Sequence, residues 1–573
     1  MGAFEEKAWL EHYAPWTPHE VDLGSDTLID IYERNLAKHS NRTATWFFGK
    51  TMTFAELNEQ VLKAAAGLQE LGVKKGDRVA LVMPNCPQHI IAFSAVMRLG
   101  ATVVEHNPLY TAAELLPQFQ DHGAKVAIVW DKATPTISKL RKDSPLSTIV
   151  SVNMIEAMPL RFRAALKLPL PRLKAMRDKL TGEAPATMPW SSLLLDKQFE
   201  APEGITQDDT VLILYTSGTT GPPKGAQLTH GNLNSMLKTG QAWVKDLGKG
   251  PEKIMTVLPL FHVYGFALTT GLGIGIGAEL ILVPSPDPAL IAMAMKKNPP
   301  TFFPGVPTLY EKIAESAIAN DKKYPTIRNS FSGASTLPES TIKKWEDITG
   351  GRLVEGYGLT ETSPILTGNP MDGNHRPGYI GLPFPNTEIR IANPDNLDET
   401  MPDGEPGELL ARGPQVFKGY LNKPEATADA FHNGFFRTGD MGVMETDGFI
   451  RLVSRIKEMI ITGGFNVYPD EVEKVMKQHP DVDDIAVVGR PRNDGSEDVV
   501  ACVTLREGAI IDSDTLREYA RERLTPYKVP RTFYHFEDLN RDQTGKIRRR
   551  EVQATLIEML EQGDDTKVGE AVS

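Results

Sequence analysis

Short apolar runs alternate with helix-like segments along most of the chain. The runs are rich in Val, Ile and Leu and lie at residues 78–83, 101–104 and 125–130, then at 254–258, 280–283 and 301–303. Strands that alternate with helices in this way are typical of βαβ units on parallel sheets. We therefore expect an α/β fold for the larger, N-terminal part of the protein.

A different pattern follows the turn-rich segment at residues 446–448. Residues 484–489 and 499–505 are typical of paired strands, and Ser513 is expected to cap a helix. The apolar positions of that helix, Leu516, Tyr519, Ala520 and Leu524, fall on one face. This predicts a small α+β domain at residues 456–560, after a large domain at 1–455. The polar stretch 561–573 is expected to be a disordered tail.

Composition limits the classes of protein to consider. A chain of 573 residues is too long for one core, and its net charge of −12 argues against a general nucleic-acid binder. Cys86 and Cys502 lie far apart, which predicts neither a disulfide framework nor a cysteine metal site. The acidic start of the chain is unlike a signal peptide, and the apolar stretch 266–283 contains Glu279 and several glycines. We expect a cytoplasmic protein.

Residues 158–180 are unusually basic. Their Lys and Arg side chains are opposed by one acid, Asp178, and are separated by Leu, Phe, Met and Ala. Such a segment either makes peripheral contact with the anionic inner face of a membrane or is a solvated loop. Pro159, Pro169 and Pro171 exclude one long helix. The basic residues are Arg161, Arg163, Lys167, Arg172, Lys174, Arg177 and Lys179.

The segment from Tyr215 to Gly225 is rich in glycine and hydroxyl side chains and follows an apolar run at 211–214. Small residues expose backbone N–H groups, and Lys224 adds a positive charge, so the loop suits the oxygens of a polyphosphate. It is not a Walker A loop, because Lys224 lies between Pro223 and Gly225. A flexible linker is the alternative. The candidate phosphate contacts are Thr216, Ser217, Gly218, Thr219, Thr220, Gly221 and Lys224.

Further clusters of small and polar residues follow in order. Small residues beside one aromatic ring suit a flat adenine, and a carboxylate suits Mg²⁺, which prefers oxygen ligands. The clusters are Gly333-Ala334-Ser335, Glu355-Gly356-Tyr357-Gly358 with Thr360 and Glu361, Thr438-Gly439-Asp440, residues 454–473, and Thr544-Gly545-Lys546.

The loop and these clusters, taken together, resemble the acyl-adenylate-forming family of acyl-CoA synthetases, adenylation domains and firefly-type luciferases. The likeness is strongest to bacterial long-chain fatty-acid–CoA ligases. It implies a large domain of βαβ-rich sheets, a smaller β-barrel-like region and a mobile α+β C-terminal domain. The implied roles are catalysis for Lys546, phosphate binding for Thr360, Mg²⁺ binding for Glu361, ribose binding for Asp440, nucleotide contact for Arg455, a hinge at Lys457, and a thiol-side loop at Gly463 and Gly464.

The resemblance also points to a region for the acid. His262 corresponds to a position beside the carboxylate, and Phe266, Gly271 and Gly273 would line an acyl pocket. A buried core histidine and tight helix packing at the glycines are the alternatives. Phe266 stands where the family has a gate tryptophan, Ser454 where it more often has glycine, and residues 540–543 depart from its lysine motif.

The implied reaction is ATP-dependent activation of a fatty acid through an acyl-adenylate to acyl-CoA, with ATP, Mg²⁺ and coenzyme A. No carrier-protein motif follows Lys546, which favours free coenzyme A. A fatty acyl-AMP ligase that loads a carrier protein, a medium-chain or aryl acid–CoA ligase and a luciferase-like oxygenase share most of these motifs. A lipid-binding protein with a degenerate site is disfavoured by the intact Lys224, Glu361 and Lys546. A homodimer is left open.

Overall fold

The computed structural model describes residues 2–216, 223–455, 458–462, 465–492, 497–509, 511–524, 526–541, 545–562 and 568. The chain forms two compact units. The larger unit comprises Trp9–Ile389 and Ala411–Phe436, and the smaller unit comprises Met1–Ala8, Arg390–Leu410 and Arg437–Ser573.

The strands of the described residues are β1 (Thr43–Phe47), β2 (Lys50–Thr53), β3 (Arg78–Val82), β4 (Thr102–Glu105), β5 (Val126–Trp130), β6 (Thr148–Val152), β7 (Met188–Pro189), β8 (Thr210–Thr216), β9 (Lys224–Thr229), β10 (Lys253–Thr256), β11 (Glu279–Leu282), β12 (Phe302–Gly305), β13 (Asn329–Ser332), β14 (Arg352–Tyr357), β15 (Thr367–Gly368), β16 (Leu382–Pro383), β17 (Glu388–Asn393), β18 (Asn396–Thr400), β19 (Gly407–Arg412), β20 (Gly419–Tyr420), β21 (Phe431–His432), β22 (Phe435–Met444), β23 (Ile450–Arg455), β24 (Ile460–Thr462), β25 (Phe465–Val467), β26 (Val482–Pro491), β27 (Glu497–Leu505) and β28 (Thr532–His535).

The α-helices in the same residues are α1 (Ala3–Glu6), α2 (Leu28–His39), α3 (Phe54–Glu70), α4 (Pro87–Arg98), α5 (Ala112–His122), α6 (Thr134–Leu140), α7 (Leu160–Ala165), α8 (Pro171–Leu180), α9 (Trp190–Leu193), α10 (His230–Trp243), α11 (Val263–Gly265), α12 (Leu272–Ile276), α13 (Pro288–Lys297), α14 (Pro307–Ala319), α15 (Glu339–Thr349), α16 (Pro424–Asp429), α17 (Pro469–Met476), α18 (Ser513–Arg521) and α19 (Arg549–Glu561).

Two large sheets form the larger unit. One has the order β20-β9-β8-β4-β3-β5-β6-β7 and the other β16-β15-β14-β13-β12-β10-β11-β1-β2. Their central strands are parallel and buried over most of their length, as strands covered on both faces require. The predicted strands at residues 78–83, 101–104, 125–130, 254–258, 280–283 and 301–303 are confirmed to within a few residues.

A third sheet is nearly closed and matches the predicted β-barrel-like region. Its order is β18-β17-β19-β22-β21, and β23 pairs with β22. Most of its strands belong to the smaller unit, which also holds the three-stranded sheet β26-β27-β28 and the hairpin β24-β25. The α/β class, with a small α+β region at the C-terminal end, is therefore confirmed.

The C-terminal sheet confirms the predicted strand pair and corrects one cap. β26 and β27 are antiparallel, and Leu516 and Ala520 of α18 are buried in the core beneath them. Asp512 caps α18, not Ser513, because the Asp512 carboxylate accepts the Thr515 N–H at 2.8 Å. The Ser513 hydroxyl instead donates to the Phe533 carbonyl. In the expected tail, Val568 is buried and donates its N–H to the same carbonyl at 3.0 Å.

The basic segment 158–180 folds as two short helices, α7 and α8, separated by the stretch that contains Pro169. The prolines thus prevent one long helix, as predicted. Across the parts of the chain that the structure describes, no helix has the length and apolar content needed to cross a bilayer.

Candidate active site

The predicted phosphate loop closes an antiparallel hairpin in the larger unit. β8 is buried from Val211 to Leu214 and ends at Thr216, which pairs with Lys224 at the start of β9. Residues 217–222 between them lie outside the described residues. The described residues on either side of the predicted loop are therefore paired in one strand ladder.

Lys224 and Glu361 both contact the side chain of Tyr420. The ammonium nitrogen of Lys224 lies 4.9 Å from the centre of the Tyr420 ring, and the Tyr420 hydroxyl donates to Glu361 Oε1 at 2.8 Å. Tyr420 is held by β20, which pairs with β9, and Glu361 lies in a 3₁₀ turn after β14. Burial and the neighbouring Glu361 carboxylate raise the pKa of Tyr420. The hydroxyl is therefore a fixed hydrogen-bond donor at neutral pH.

Glu361 fits the requirements of a Mg²⁺ ligand. It is 7% exposed, and its backbone carbonyl accepts the Phe417 N–H at 2.8 Å, so the residue is held at both ends. Mg²⁺ is usually bound through one or two carboxylates together with substrate phosphates. With Lys224 and Thr360 nearby in the same cluster of strand ends, Glu361 would hold the ion, and the ion would neutralise charge on the phosphates.

The predicted adenine residues come together at the ends of two parallel strands. Ser332 of β13 pairs with Glu355 of β14, so the stretch Gly333-Ala334-Ser335 and the end of β14 share one edge of the sheet. Ala334 has a φ of +72°, a conformation that side chains rarely adopt and that is often found at functional sites. A Cβ on Gly358 would lie 1.5 Å from the Pro364 carbonyl oxygen, so that position requires glycine.

Glu355 is buried at this edge without a charged partner among the contacts seen. Its Oε2 accepts the Leu337 N–H at 3.1 Å. Burial raises the pKa of Glu355 to about 8, and the single backbone bond opposes this only in part. The carboxyl is therefore protonated near neutral pH and can both donate and accept a hydrogen bond.

Replacing Glu355 with glutamine is expected to change how stability depends on pH. The pKa of Glu355 in the folded protein lies above the ordinary value of 4.5. At pH 4 the carboxyl is protonated in both states, so it does not change stability. As the pH rises towards 8, the unfolded chain loses its proton first, and the wild-type protein therefore becomes progressively less stable. Relative to wild type, Glu355→Gln should therefore gain about 5 kcal/mol of unfolding free energy between pH 4 and pH 9. Denaturant unfolding at both pH values measures this, with exposed Glu339→Gln as control; parallel curves for Glu355→Gln and wild type would contradict it.

His262 lies at the start of a short helix and is exposed, which excludes the core-histidine alternative. The segment before it is held by the buried Asn85 side chain. The Asn85 amide donates to the carbonyls of Thr256 and Leu258 at 3.1 and 2.9 Å and accepts the Leu260 N–H at 3.0 Å. Asn85 follows β3, whereas Thr256 ends β10, so one side chain links the two large sheets beside His262.

Phe266 begins a π-helical turn, Phe266–Gly271, and is fully buried with its ring 4.6 Å from that of Phe93. π-Helical turns often occur at functional sites. A Cβ on Gly271 would lie 3.4 Å from Met236 Cε, an ordinary contact, but a Cβ on Gly273 would lie 2.5 Å from Leu280 Cδ2. Gly273 thus packs tightly against β11, and the acyl-pocket role of Phe266, Gly271 and Gly273 stays a prediction.

The remaining described candidates belong to the smaller unit. Asp440 of β22 is 5% exposed and pairs directly with Arg455 of β23, so the predicted ribose and nucleotide residues are cross-strand neighbours. Lys546 is half-buried, between Gly545 and Ile547. The predicted hinge Lys457, the glycines Gly463 and Gly464 and the loop residues Ser217, Gly218, Thr219, Thr220 and Gly221 lie outside the described residues.

Sequence reasoning missed Tyr420 and Asn85. Tyr420 lies in a two-residue strand, which has no periodicity to reveal it, and its partners are distant in the chain. Asn85 lies in a turn between a strand and a helix, where asparagine is ordinary. Only the fold shows that Tyr420 contacts both Lys224 and Glu361 and that Asn85 links the two large sheets beside His262.

These features define the class of protein. Residues 32–421 match the AMP-binding enzyme family and residues 471–546 match the AMP-binding enzyme C-terminal domain, so the chain belongs to this family. It is 38% identical to a long-chain-fatty-acid–CoA ligase of Bacillus subtilis over 95% of this chain and 97% of that protein. It is 34% identical to one of Escherichia coli O6:H1 over 96% of this chain and 98% of that protein.

Solved structures agree with the fold. The ATP-bound crystal structure of MatB from Rhodopseudomonas palustris superposes with a TM-score of 0.78 at 28% identity, covering 93% of this chain and all of that one. An oxalate–CoA ligase of Arabidopsis thaliana is also 32% identical over 94% of this chain. Relatives at similar identity therefore bear names for acids of very different size.

Proposed function

We propose that the protein is a fatty-acid–CoA ligase that activates long-chain acids. The observation that carries the proposal is the Lys224–Tyr420–Glu361 arrangement, in which a phosphate-loop lysine and a carboxylate suited to Mg²⁺ share one fixed tyrosine. The relatives named long-chain-fatty-acid–CoA ligase match the chain over almost their whole length, which supports the same reaction here.

The proposed reaction has two steps. A carboxylate oxygen of the acid attacks the α-phosphorus of ATP, the bond to the bridging oxygen breaks, and pyrophosphate leaves. The sulfur of coenzyme A then attacks the acyl carbon, and AMP leaves. Lys224 and Thr216 would bind the departing phosphates, Thr360 and Glu361 would bind phosphate and Mg²⁺, and Lys546 would stabilise charge that develops in the first step.

The acid would lie beside the segment of His262, with its tail towards Phe266. A buried aromatic pair, Phe93 and Phe266, gives this region the apolar character that an acyl chain needs. Gly271, which leaves van der Waals room near Met236, would widen the pocket. The relatives named long-chain-fatty-acid–CoA ligase support a long acyl chain here.

The test is pyrophosphate release and acyl-CoA formation with acids of increasing length, from acetate and benzoate through octanoate to oleate. A long-chain ligase is expected to show its highest kcat/KM with palmitate or oleate and to form acyl-CoA only with coenzyme A present. Adenylate formation without acyl-CoA would indicate a fatty acyl-AMP ligase instead. Best activity with benzoate or acetate would reject the long-chain assignment.

We also propose that the protein is cytoplasmic and that residues 158–180 form a surface that contacts the anionic inner face of a membrane. Leu160 is 78% exposed, Leu168 49% and Leu170 54%, in a stretch whose charged side chains are seven Lys and Arg residues and one acid, Asp178. Exposed leucines among basic residues are suited to a surface of anionic lipid headgroups over acyl chains.

The surface is fixed to the larger unit, not loosely attached. Met158, Leu166 and Leu180 are buried, and the Trp130 indole donates to the Leu180 carbonyl at 2.8 Å. The Phe162 ring lies 6.3 Å from that of Phe48, edge to face. The leucines therefore project from a folded support.

Binding to vesicles should depend on both the leucines and the charges. Substituting serine for Leu160, Leu168 and Leu170, or glutamate for Arg172 and Lys174, is expected to reduce binding to phosphatidylglycerol-containing vesicles at least about tenfold, since each basic residue contributes about 1 kcal/mol. Cosedimentation measures it; Ile318→Ser, at another exposed apolar residue, is the control. Equal binding by all variants, or by neutral vesicles, would contradict the proposal.

A further inference from the structure

Backbone contacts join the described segments before and after Lys546. Arg541 and Ile547 form an antiparallel bridge, and the Arg548 N–H donates to the Asn540 carbonyl at 2.8 Å. Residues 542–544 lie outside the described residues. The bridge and this hydrogen bond join the described segments on either side of them.

Arg541 also fixes the peptide that leads into Lys546. Its guanidinium donates to the Gly545 carbonyl at 2.9 Å and to the Asp484 carboxylate. Gly545 has a φ of +83°, which glycine adopts without strain. The carbonyl of Gly545 belongs to the peptide bond that Gly545 makes with Lys546, so this contact sets the direction in which the lysine side chain leaves the backbone.

The other end of this contact is anchored in the C-terminal sheet. Asp484 lies in β26, accepts the Ile485 N–H at 2.8 Å and lies 2.6 Å from the ammonium group of Lys477. Although burial acts to raise it, Lys477 and Arg541 hold the pKa of Asp484 below its usual range. Asp484 is therefore ionised at neutral pH, and Arg541 is attached to a rigid strand.

Arg549, which follows Lys546 in the chain, has a structural role in the core and not in positioning the lysine. Arg549 is 11% exposed and makes two parallel hydrogen bonds to the Glu473 carboxylate, at 2.8 and 2.7 Å. Removing it would leave buried carboxylates without their partner, at a large cost in stability. Arg541, at 37% exposed, can be replaced with little effect on the core.

We propose that Arg541 is a positioning residue for Lys546. Arg541 holds the Gly545–Lys546 peptide bond in place relative to Asp484 and so orients the Lys546 side chain. Arg541 then contributes to adenylate formation, the step in which Lys546 acts, and not to thioester formation. The inference rests on the proposed function, because it needs Lys546 to act in adenylate formation.

The experiment measures the two half-reactions separately in the full-length protein. Arg541→Met is expected to lower the kcat of acid-dependent pyrophosphate release about ten- to a hundredfold, as small displacements of a catalytic group do, with the KM values for ATP and acid little changed. Thioester formation from supplied acyl-adenylate should stay within about twofold. Arg541→Lys and Asp484→Asn should give intermediate losses, and Arg548→Met, which removes an exposed ion pair with Glu551, should leave the rate within about twofold.

A double mutant decides between positioning and a general structural role. If Arg541 acts through Lys546, the variant with both Arg541→Met and Lys546→Ala should be no slower than Lys546→Ala alone. Multiplied losses in the double mutant, or equal losses in both half-reactions, would overturn the proposal. Failure of the proposed function is distinguishable, because the wild type itself would then release no acid-dependent pyrophosphate.

Discussion

Replacing Lys546 with alanine is expected to slow acyl-adenylate formation about 10²- to 10³-fold while leaving thioester formation from supplied acyl-adenylate nearly unchanged. Charge builds on the α-phosphate oxygens as the carboxylate attacks, and a positioned ammonium group stabilises that charge more than water does. The second step expels AMP and involves a different nucleophile, so we assign it no need for Lys546. Single-turnover measurements of each half-reaction give the two rates.

A second substitution at Lys546 and a stability measurement serve as controls. Lys546→Arg keeps the charge and should retain part of the activity, because the guanidinium is larger and less free to adapt than the ammonium group. Thermal unfolding of the variants should match wild type, since Lys546 is not part of the buried core. A Lys546→Ala enzyme that formed adenylate at the wild-type rate would remove the residue from the mechanism.

Replacing Glu361 with glutamine is expected to lower kcat/KM for ATP about 10²-fold and to increase the Mg²⁺ concentration required. The amide preserves the shape of the side chain and can still accept the hydrogen bond from Tyr420, but it is a weaker ligand for a hard cation. Pyrophosphate release measured against total Mg²⁺ should show a shifted midpoint. Partial recovery of the rate is expected at high Mg²⁺.

Tyr420→Phe separates the metal role of Glu361 from its hydrogen bond. This variant keeps the ring beside Lys224 and loses only the hydroxyl, so the expected loss is about 1 kcal/mol, or fivefold in rate. If Tyr420→Phe lowered activity as much as Glu361→Gln, and without a change in Mg²⁺ requirement, then Glu361 would be orienting the tyrosine and would not be binding the ion.

Much of the fold could be predicted because the central strands are buried on both faces. For this reason β3, β5 and β8 are visible in the sequence as uninterrupted apolar runs. The motifs that follow such runs could then be assigned to strand ends. The pairing of Ser332 with Glu355 follows the same logic, since parallel strands end at a common edge. Asp440 and Arg455 lie opposite each other because β22 and β23 are joined by a short turn.

The sequence could not reveal contacts between residues far apart in the chain. Tyr420 reaches Glu361 across 59 positions, and the Asn85 amide reaches Leu258 across 173. Neither contact follows from a local period or a turn propensity. The cap of α18 failed for a local reason, because Asp512 and Ser513 are both good caps and the Ser513 hydroxyl is engaged elsewhere.

The position of Asn85 has a consequence for specificity. Its side chain hydrogen-bonds the segment before His262, whereas Asn85 itself follows β3. β3 belongs to the sheet that also contains β8 and β9, the strands on either side of the predicted phosphate loop. If the proposed function holds, the spacing between the carboxyl end of the acid and the α-phosphate would be set by this framework, independently of how far the hydrocarbon tail extends beyond Phe266. Substitutions in the tail region would then change which acid is accepted while the reacting atoms keep their alignment.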